Sequence, residues 1–365
     1  MRALLRQSAL LLLSCLAVYA LVLGLSYLWM APSMSTAGMD TASASRSLFL
    51  TEPKYVFLGR TALASDHDKV LLLGASNVVA GFRQTQLQAL LPGSEVDNIG
   101  VGGSNVTQLA QIVDLVHGVQ TPEQRRHNTF VIGLWYGLFA DDAVRWNTPD
   151  RHAGDTDIDI ERYRYGFYRR GDQGPVEVLP DRWLEAGVRL IHPLLVIDNA
   201  ARDMTATLRQ RIAGKPPAFS DAQRDAMMVS DEERQRYLAF WADYMGNSKV
   251  LPDAQFQQLT TLVAHIVQAG GRVVLVDLPI PEWHSRQSPY YADYRARITQ
   301  FFDQQHGHTR VAVAQLATGD ADADFSDEVH PKPRVAQSWS RHLAAALNTL
   351  PASVQLVSTD TVPQN

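Results

Sequence analysis

Apolar and polar residues follow two recurring patterns along the chain. Short apolar runs of strand length are followed by stretches in which apolar residues recur every three or four positions, which is typical of amphipathic helices. The runs predict five strands, at residues 70–73, 95–99, 129–134, 272–276 and 309–313. Because strands of this kind suit a sheet covered on both faces, the pattern predicts an α/β domain with a parallel sheet of about five strands.

Helical spacing fills most of the intervals between these runs. A helix is expected to begin after Asn105, where Asn105 and Gln108 have the spacing of a capping box. Residues 139–251 are different, because their charges and aromatic residues are scattered and no strand–helix alternation is visible. Helices are expected there at 192–211 and 231–244, so this region is interpreted as a largely helical insertion over the active face. The other predicted helices lie at residues 84–91, 253–269, 290–305 and 333–347.

The most apolar stretch of the chain is at its start. Residues 9–30 contain no charged side chain and would form a helix about 33 Å long, enough to cross a bilayer. Arg2 and Arg6 precede this stretch, and the positive-inside tendency predicts a cytoplasmic end at residues 1–8. A cleaved signal peptide or a lipoprotein signal ending at Cys15 are the alternatives. The apolar run is too long for the former, and too few apolar residues precede Cys15 for the latter.

An uncleaved anchor in this orientation predicts a single-pass protein of the cell (inner) membrane, with its folded domain on the periplasmic, extracytoplasmic side. Residues 31–60 are small and polar and predict a tether with a lead-in to the fold. The domain is expected at 61–350, followed by a tail at 351–365.

Composition and charge exclude several classes of function. The net charge is −5 without a basic run, so a nucleic acid is not expected as a partner. The single cysteine, Cys15, rules out an internal disulfide and a cysteine-based zinc site. His306 and His308 lack a third ligand nearby, and the Gly100–Gly103 loop lacks the third glycine of a dinucleotide site. The sequence therefore predicts neither a metal nor a cofactor.

The candidate chemistry lies at two distant points of the chain. Ser76 follows the first predicted strand in a Gly-Ala-Ser turn, at the sheet edge where open α/β folds bind ligands. Asp327 and His330 stand three residues apart just before the last helix. A serine hydroxyl needs a base to become a nucleophile, and that base needs a carboxylate to orient it. We therefore predict Ser76 as nucleophile, His330 as general base and Asp327 as its orienting group.

Three motifs together resemble the SGNH (GDSL-type) hydrolase superfamily: Gly74-Ala75-Ser76, Gly102-Gly103 and Asp327-x-x-His330. The resemblance implies a three-layer α/β/α, flavodoxin-like fold with a Ser-His-Asp triad. It also implies an oxyanion site made by the backbone amides of Ser76 and Gly103 and by an asparagine. That asparagine is absent from the expected block at residues 133–137. Asn105 or Asn77 are candidate replacements, and the sequence does not decide between them.

The missing asparagine is typical of a subgroup, the DltD proteins of D-alanyl-lipoteichoic acid synthesis, which the chain also resembles. The alginate and cellulose O-acetylation proteins are a second analogy. Both imply an O-acyltransferase or carboxylic ester hydrolase that moves acetyl or D-alanyl esters on a cell-envelope polysaccharide beside a membrane-bound O-acyltransferase (MBOAT) protein. Trp135, Tyr136 and Trp283 are predicted to line an acceptor groove, with core packing as the alternative. A non-catalytic partner with this fold and a stand-alone anchored esterase are the competing functions.

Overall fold

The computed structural model describes most of the chain, and the structural statements below concern these residues. The predicted tether at 31–60 and the tail at 351–365 lie outside them. The described residues are 1–29, 63–142, 151–156, 159–160, 163, 168–177, 186–187, 189–212, 221–246, 249–305, 307–316 and 322–349.

The domain is organised around a sheet of five parallel strands. Strand β1 is the central apolar run, and its five residues are all buried. It pairs with β2 on one side and β3 on the other, and the order across the sheet is β2-β1-β3-β6-β7. This order, with every strand parallel, is that of flavodoxin-like sheets. The strands are β1 (Lys69–Leu73), β2 (Glu95–Asn98), β3 (Asn128–Leu134), β4 (Tyr168–Gly171), β5 (Gly174–Glu177), β6 (Arg272–Asp277) and β7 (Val311–Ala314).

Helices cover both faces of the sheet, which confirms the predicted α/β architecture. Helices α4 and α9 pack against each other, and α12 packs against α2 and α3. The side chain of Trp339 on α12 is fully buried. The helices are α1 (Arg2–Trp29), α2 (Ser76–Gly81), α3 (Gln84–Leu90), α4 (Val106–Val119), α5 (Pro122–Arg126), α6 (His192–Ile212), α7 (Asp221–Ala226), α8 (Asp231–Tyr244), α9 (Asp253–Gln268), α10 (Glu282–Gln287), α11 (Tyr291–Gln305) and α12 (Pro333–Thr349).

The insertion differs in part from its prediction. Helices α6 and α8 are present within one residue of the expected bounds, but an antiparallel hairpin of β4 and β5 precedes them. Its two turn residues stand between Gly171 and Gly174, and Gly174 has a φ of 111°. The strands mix charged and apolar residues without regular alternation, so the periodicity that reveals a half-buried strand is missing.

The first helix, α1, is 28 residues long and begins at Arg2, seven residues before the predicted apolar stretch. Its length and composition are sufficient for it to cross a membrane. Cys15 is exposed on its surface. The folded domain touches α1 through the beginning of α6.

Candidate active site

The nucleophile candidate opens a short helix shortly after β1, the strand next to the edge strand β2. Ser76 is the first residue of α2, and Val78 in that helix lies over the end of the sheet. A Cβ atom added to Gly74 or to Gly133 would come within 2.3 Å of the Val78 side chain. The two glycines therefore let α2 sit close to the ends of β1 and β3. This packing fixes the position from which the Ser76 hydroxyl projects.

A second loop lies beside the first, because β2 and β1 are parallel neighbours. The Val101 N–H donates to the Gly74 carbonyl over 2.9 Å, which ties the two loops together. Gly103 follows with a φ of 68°, in the left-handed region where glycine avoids steric cost. The predicted oxyanion amides, those of Ser76 and Gly103, thus belong to loops on the same edge of the sheet. Their role stays a prediction.

The third part of the site is a tightly closed loop before α12. One carboxylate oxygen of Asp327 accepts the backbone N–H groups of Val329 (3.0 Å) and His330 (2.8 Å). The Ser326 N–H donates to the His330 carbonyl over 3.0 Å, and Phe325 pairs with Pro331 across the loop. These bonds hold the aspartate and the histidine in one rigid unit.

The fold brings the three candidate residues into contact. The second carboxylate oxygen of Asp327 lies 2.8 Å from His330 Nδ1, and His330 Nε2 lies 2.8 Å from Ser76 Oγ. A carboxylate can only accept a hydrogen bond, so the Nδ1 atom carries the proton. In the neutral ring, Nε2 is then left as an acceptor for the Ser76 hydroxyl. This is the geometry of a serine nucleophile, a base and an orienting acid.

Charge and burial set the balance between Asp327 and His330. Burial lowers the pKa of His330, but the hydrogen bond and charge of Asp327, aided by Glu328, outweigh it and leave that pKa raised. Burial raises the pKa of Asp327, but the hydrogen bonds and charge that it receives leave its pKa lowered. The lowered pKa favours the carboxylate form of Asp327, whose charge would stabilise an imidazolium at His330.

A cleft of about 420 Å³ opens beside His330. Two of its lining side chains are guanidinium groups, and Arg83 and Arg224 both bind the Asp221 carboxylate, at 3.3 and 2.9 Å. The insertion contributes Arg224, Met227 and Tyr237 to the lining of this cleft. The lining residues are Val79, Ala80, Arg83, Arg224, Met227, Tyr237, Ser326, Asp327, His330, Pro331 and Pro333.

Glu328 is a buried acid between the candidate residues Asp327 and His330, and it was not among the site residues predicted from the sequence. Burial and the neighbouring charge of Asp327 raise its pKa to about 7, from 4.5. Near neutral pH this carboxyl is therefore poised between its protonated and charged forms. Its environment, rather than its residue type, produces this property.

Glu328→Gln is expected to become more stable relative to the wild type as the pH rises. Between pH 4.5 and about 7 the folded wild type holds a proton that the unfolded chain has released, so its stability falls across that window. Glutamine stays neutral, so the stability of the variant does not fall across this pH window. The relative gain from about pH 5 to about pH 8 is up to about 3 kcal/mol. Thermal unfolding of both proteins in detergent at both pH values measures it. Glu123→Gln is the exposed control. The expectation would be contradicted if the difference in melting temperature between Glu328→Gln and the wild type were the same at both pH values.

The three predicted groove aromatics do not line this cleft, which corrects the sequence prediction. Trp135, Tyr136 and Trp283 are 3%, 0% and 5% exposed. Trp135 and Tyr136 pack edge-on against Trp241 of α8. Their large apolar surfaces are more stable when buried, so aromatic residues near a sheet edge join the core between the sheet and the insertion.

Two buried side chains, those of Tyr136 and His284, instead support the loop that carries Asp327 and His330. His284 is fully buried, and burial lowers its pKa to about 4, so its ring is neutral near pH 7. Its Nδ1 donates to the Glu328 carbonyl over 2.7 Å, and its Nε2 accepts from the Tyr136 hydroxyl over 2.6 Å. The structure thus places His284 behind the loop that carries Asp327 and His330.

Asn105 is also placed differently from its prediction. It caps α4, where its side-chain oxygen accepts the Gln108 N–H over 3.2 Å, and its Nδ2 donates to Asp142 over 2.6 Å. These bonds occupy its amide, which corrects the suggestion that it serves the oxyanion. Asn77 is buried next to Ser76, and its oxygen accepts the Val78 N–H over 3.0 Å. Within the described part of the chain its Nδ2 has no hydrogen-bond partner.

Comparison with known proteins adds little beyond the fold. No protein-family model matches the chain, and no curated protein matches it. Among solved structures, it is similar to a protein from Bacteroides fragilis NCTC 9343 described as a candidate acylhydrolase. The match has a TM-score of 0.35 and 11% identity, and covers 80% of this chain and 94% of that one. A match with this TM-score and identity does not transfer an activity to this chain.

Proposed function

We propose that this protein is a serine esterase or O-acyltransferase that forms an acyl-enzyme on Ser76. His330 removes the hydroxyl proton as Ser76 Oγ attacks the ester carbonyl, and Asp327 stabilises the resulting imidazolium. When the tetrahedral intermediate collapses, the alcohol leaves with the proton from His330. A second hydroxyl, of water or of an acceptor sugar, then gives its proton to His330 and attacks the acyl carbon. When this second intermediate collapses, the bond to Ser76 Oγ breaks and His330 returns the proton to Ser76.

One observation carries this proposal: His330 bridges Asp327 and Ser76, with a distance of 2.8 Å on each side. The three residues come from opposite ends of the folded domain, and His330 and Asp327 line a cleft large enough for part of a substrate. Mass spectrometry after brief exposure to 4-nitrophenyl acetate tests it. An acetyl group is expected on the peptide that contains Ser76, and an unmodified peptide under conditions of turnover would refute the proposal.

We further propose that the physiological substrate is an acetyl or D-alanyl ester on a cell-envelope polysaccharide. The support is the resemblance of the motifs to DltD-like proteins, together with a first helix long and apolar enough to act as an anchor. A membrane-bound O-acyltransferase would supply the acyl group. Transfer is preferred over hydrolysis because of the anchor and the DltD-like block at residues 133–137, which lacks the asparagine. Co-purification with an MBOAT protein and acyl transfer to an oligosaccharide test this part.

Asn77 is proposed as the side-chain donor to the oxyanion, in place of the asparagine missing from residues 133–137. An unpaired buried amide N–H is costly, and this one adjoins the nucleophile, where a developing oxyanion could receive it.

Asn77→Ala is expected to lower kcat for a small acetyl ester by roughly 10²–10³-fold, because an oxyanion donor acts only in the transition state. KM should change little, since the ground-state ester does not use that donor. Steady-state kinetics separates the two constants. An increase in KM at constant kcat would place Asn77 in substrate binding and contradict the assignment.

A further inference from the structure

Helix α6 carries an apolar surface that the described residues leave exposed. Five of its large apolar side chains are each more than half exposed, while Leu195 and Val196 are partly buried. At 3.6 residues per turn they fall within an arc of about 80°, and they are separated by three, seven, four and four positions. Single exposed apolar residues are common in proteins, but a continuous row marks a contact surface. This apolar stripe consists of Leu194, Ile197, Met204, Leu208 and Ile212.

The beginning of α6 is fastened to the side of α1. His192 Nδ1 lies 2.8 Å from Ser26 Oγ, and the His192 ring stacks on Tyr27 with a centroid distance of 4.1 Å. The Tyr19 hydroxyl donates to the Leu190 carbonyl, and the Tyr27 hydroxyl donates to the Arg189 carbonyl. Four contacts therefore fix the depth of α6 relative to α1.

That depth is inside the bilayer when α1 spans it. Tyr19 lies ten residues before Trp29, or about 15 Å along the helix, which is roughly half the thickness of the hydrocarbon core. A tyrosine side chain can reach several ångströms toward the interface, so its partner Leu190 belongs to the outer part of the membrane. Leu190 and Ile191 are themselves exposed apolar residues.

We propose that α6 is a second membrane-contacting element, whose apolar stripe lies in the leaflet that adjoins the folded domain. This rests on the proposed insertion of α1 but not on the catalytic assignment. Lipid is the occupant that the geometry favours, because the stripe continues from a segment already held at bilayer depth and carries no charge. Amphipathic helices of this kind lie in the plane of the interface with their apolar faces among the acyl chains.

A cysteine scan of the full-length protein in phosphatidylcholine–phosphatidylglycerol vesicles tests this proposal. Single cysteines replace Leu194, Ile197, Met204 and Leu208 on the stripe, in a Cys15→Ser background, and are labelled with a nitroxide. Matched controls at Asp198, Thr205 and Arg211 are exposed residues beside the stripe. Stripe labels are expected to be several-fold more accessible to oxygen than to a water-soluble nickel chelate. The control labels lie about 20–40° beyond the borders of the stripe, so their oxygen-to-nickel ratio should be clearly lower.

The native Cys15, labelled in the otherwise unchanged protein, separates the two ways of failing. If Cys15 is in lipid while the stripe labels meet the nickel chelate, α6 lies in water and the proposal is overturned although the anchor stands. If Cys15 also meets the chelate, α1 is not inserted and the proposal falls with it. Stripe labels that neither reagent reaches, with dipolar broadening between them, would assign the stripe to contact between copies of the chain and also overturn it.

Discussion

Replacing Ser76 by alanine is expected to lower ester turnover by roughly 10⁴–10⁶-fold, the loss seen when a serine nucleophile is removed from other triads. His330 would still be in place as a base, but it would have no hydroxyl to activate, so no acyl-enzyme can form. A fluorophosphonate that labels the wild type should leave the variant unlabelled. Turnover of 4-nitrophenyl acetate and labelling, both measured on one preparation, are two independent tests of the reactivity of Ser76 Oγ.

The variant should remain folded, because among the described residues the Ser76 side chain makes a single hydrogen bond, at a partly open position. Its removal is expected to change the free energy of unfolding by about 1 kcal/mol or less. Ser285→Ala is a suitable control, since that hydroxyl is exposed and donates only to the Glu282 carbonyl of its own helix. Labelling of Ser76→Ala at the wild-type rate would remove Ser76 from the mechanism. A wild type that neither turns over esters nor reacts would instead favour the non-catalytic binding role.

The sheet was predictable because its signal is local. A strand buried on both faces must be apolar throughout, and β1, β3 and β6 each show this as a short uninterrupted run. The hairpin of β4 and β5 sends no such signal, because it lies in the insertion and its residues mix charge with apolar character. In the sequence, only the two glycines that bound its turn could have indicated the hairpin.

The candidate site was predictable only as far as residue type and spacing decide chemistry. Asp327 and His330 are close in sequence, and the parallel sheet brings every carboxyl-terminal loop to one edge, so Ser76 could be expected nearby. Trp135, Tyr136 and Trp283 were placed wrongly, since nothing in their spacing separates an aromatic that lines a groove from one that fills the core. The acidity of Glu328 depends on burial and on the charge of Asp327, and the cleft arginines come from distant segments. These properties exist only once the chain is folded.

Asp327→Asn tests the orientation of the triad, and its outcome follows from the hydrogen bonds that hold residue 327. One carboxylate oxygen accepts the N–H groups of Val329 and His330, and an asparagine must keep its own oxygen there. Its NH₂ group would then face His330 Nδ1 and donate to it. The ring would carry its proton on Nε2, where it can no longer accept from Ser76. We expect kcat/KM to fall by about 10⁴-fold, as expected for a base held in the wrong tautomer.

The pH profile distinguishes this effect from general damage to the fold. His330 must be neutral to act as a base, so activity rises as the pH passes the pKa of His330. Asp327 raises that pKa, and its replacement by a neutral amide removes the charge. The acidic limb of kcat/KM should therefore move to lower pH in Asp327→Asn, while the plateau drops. Asp231→Asn, at a side chain that is 97% exposed, should leave both limb and plateau unchanged. A plateau of kcat/KM within tenfold of the wild-type value, or an acidic limb that does not move, would show that Asp327 neither orients His330 nor raises its pKa. The charge that stabilises the imidazolium would then come from another residue.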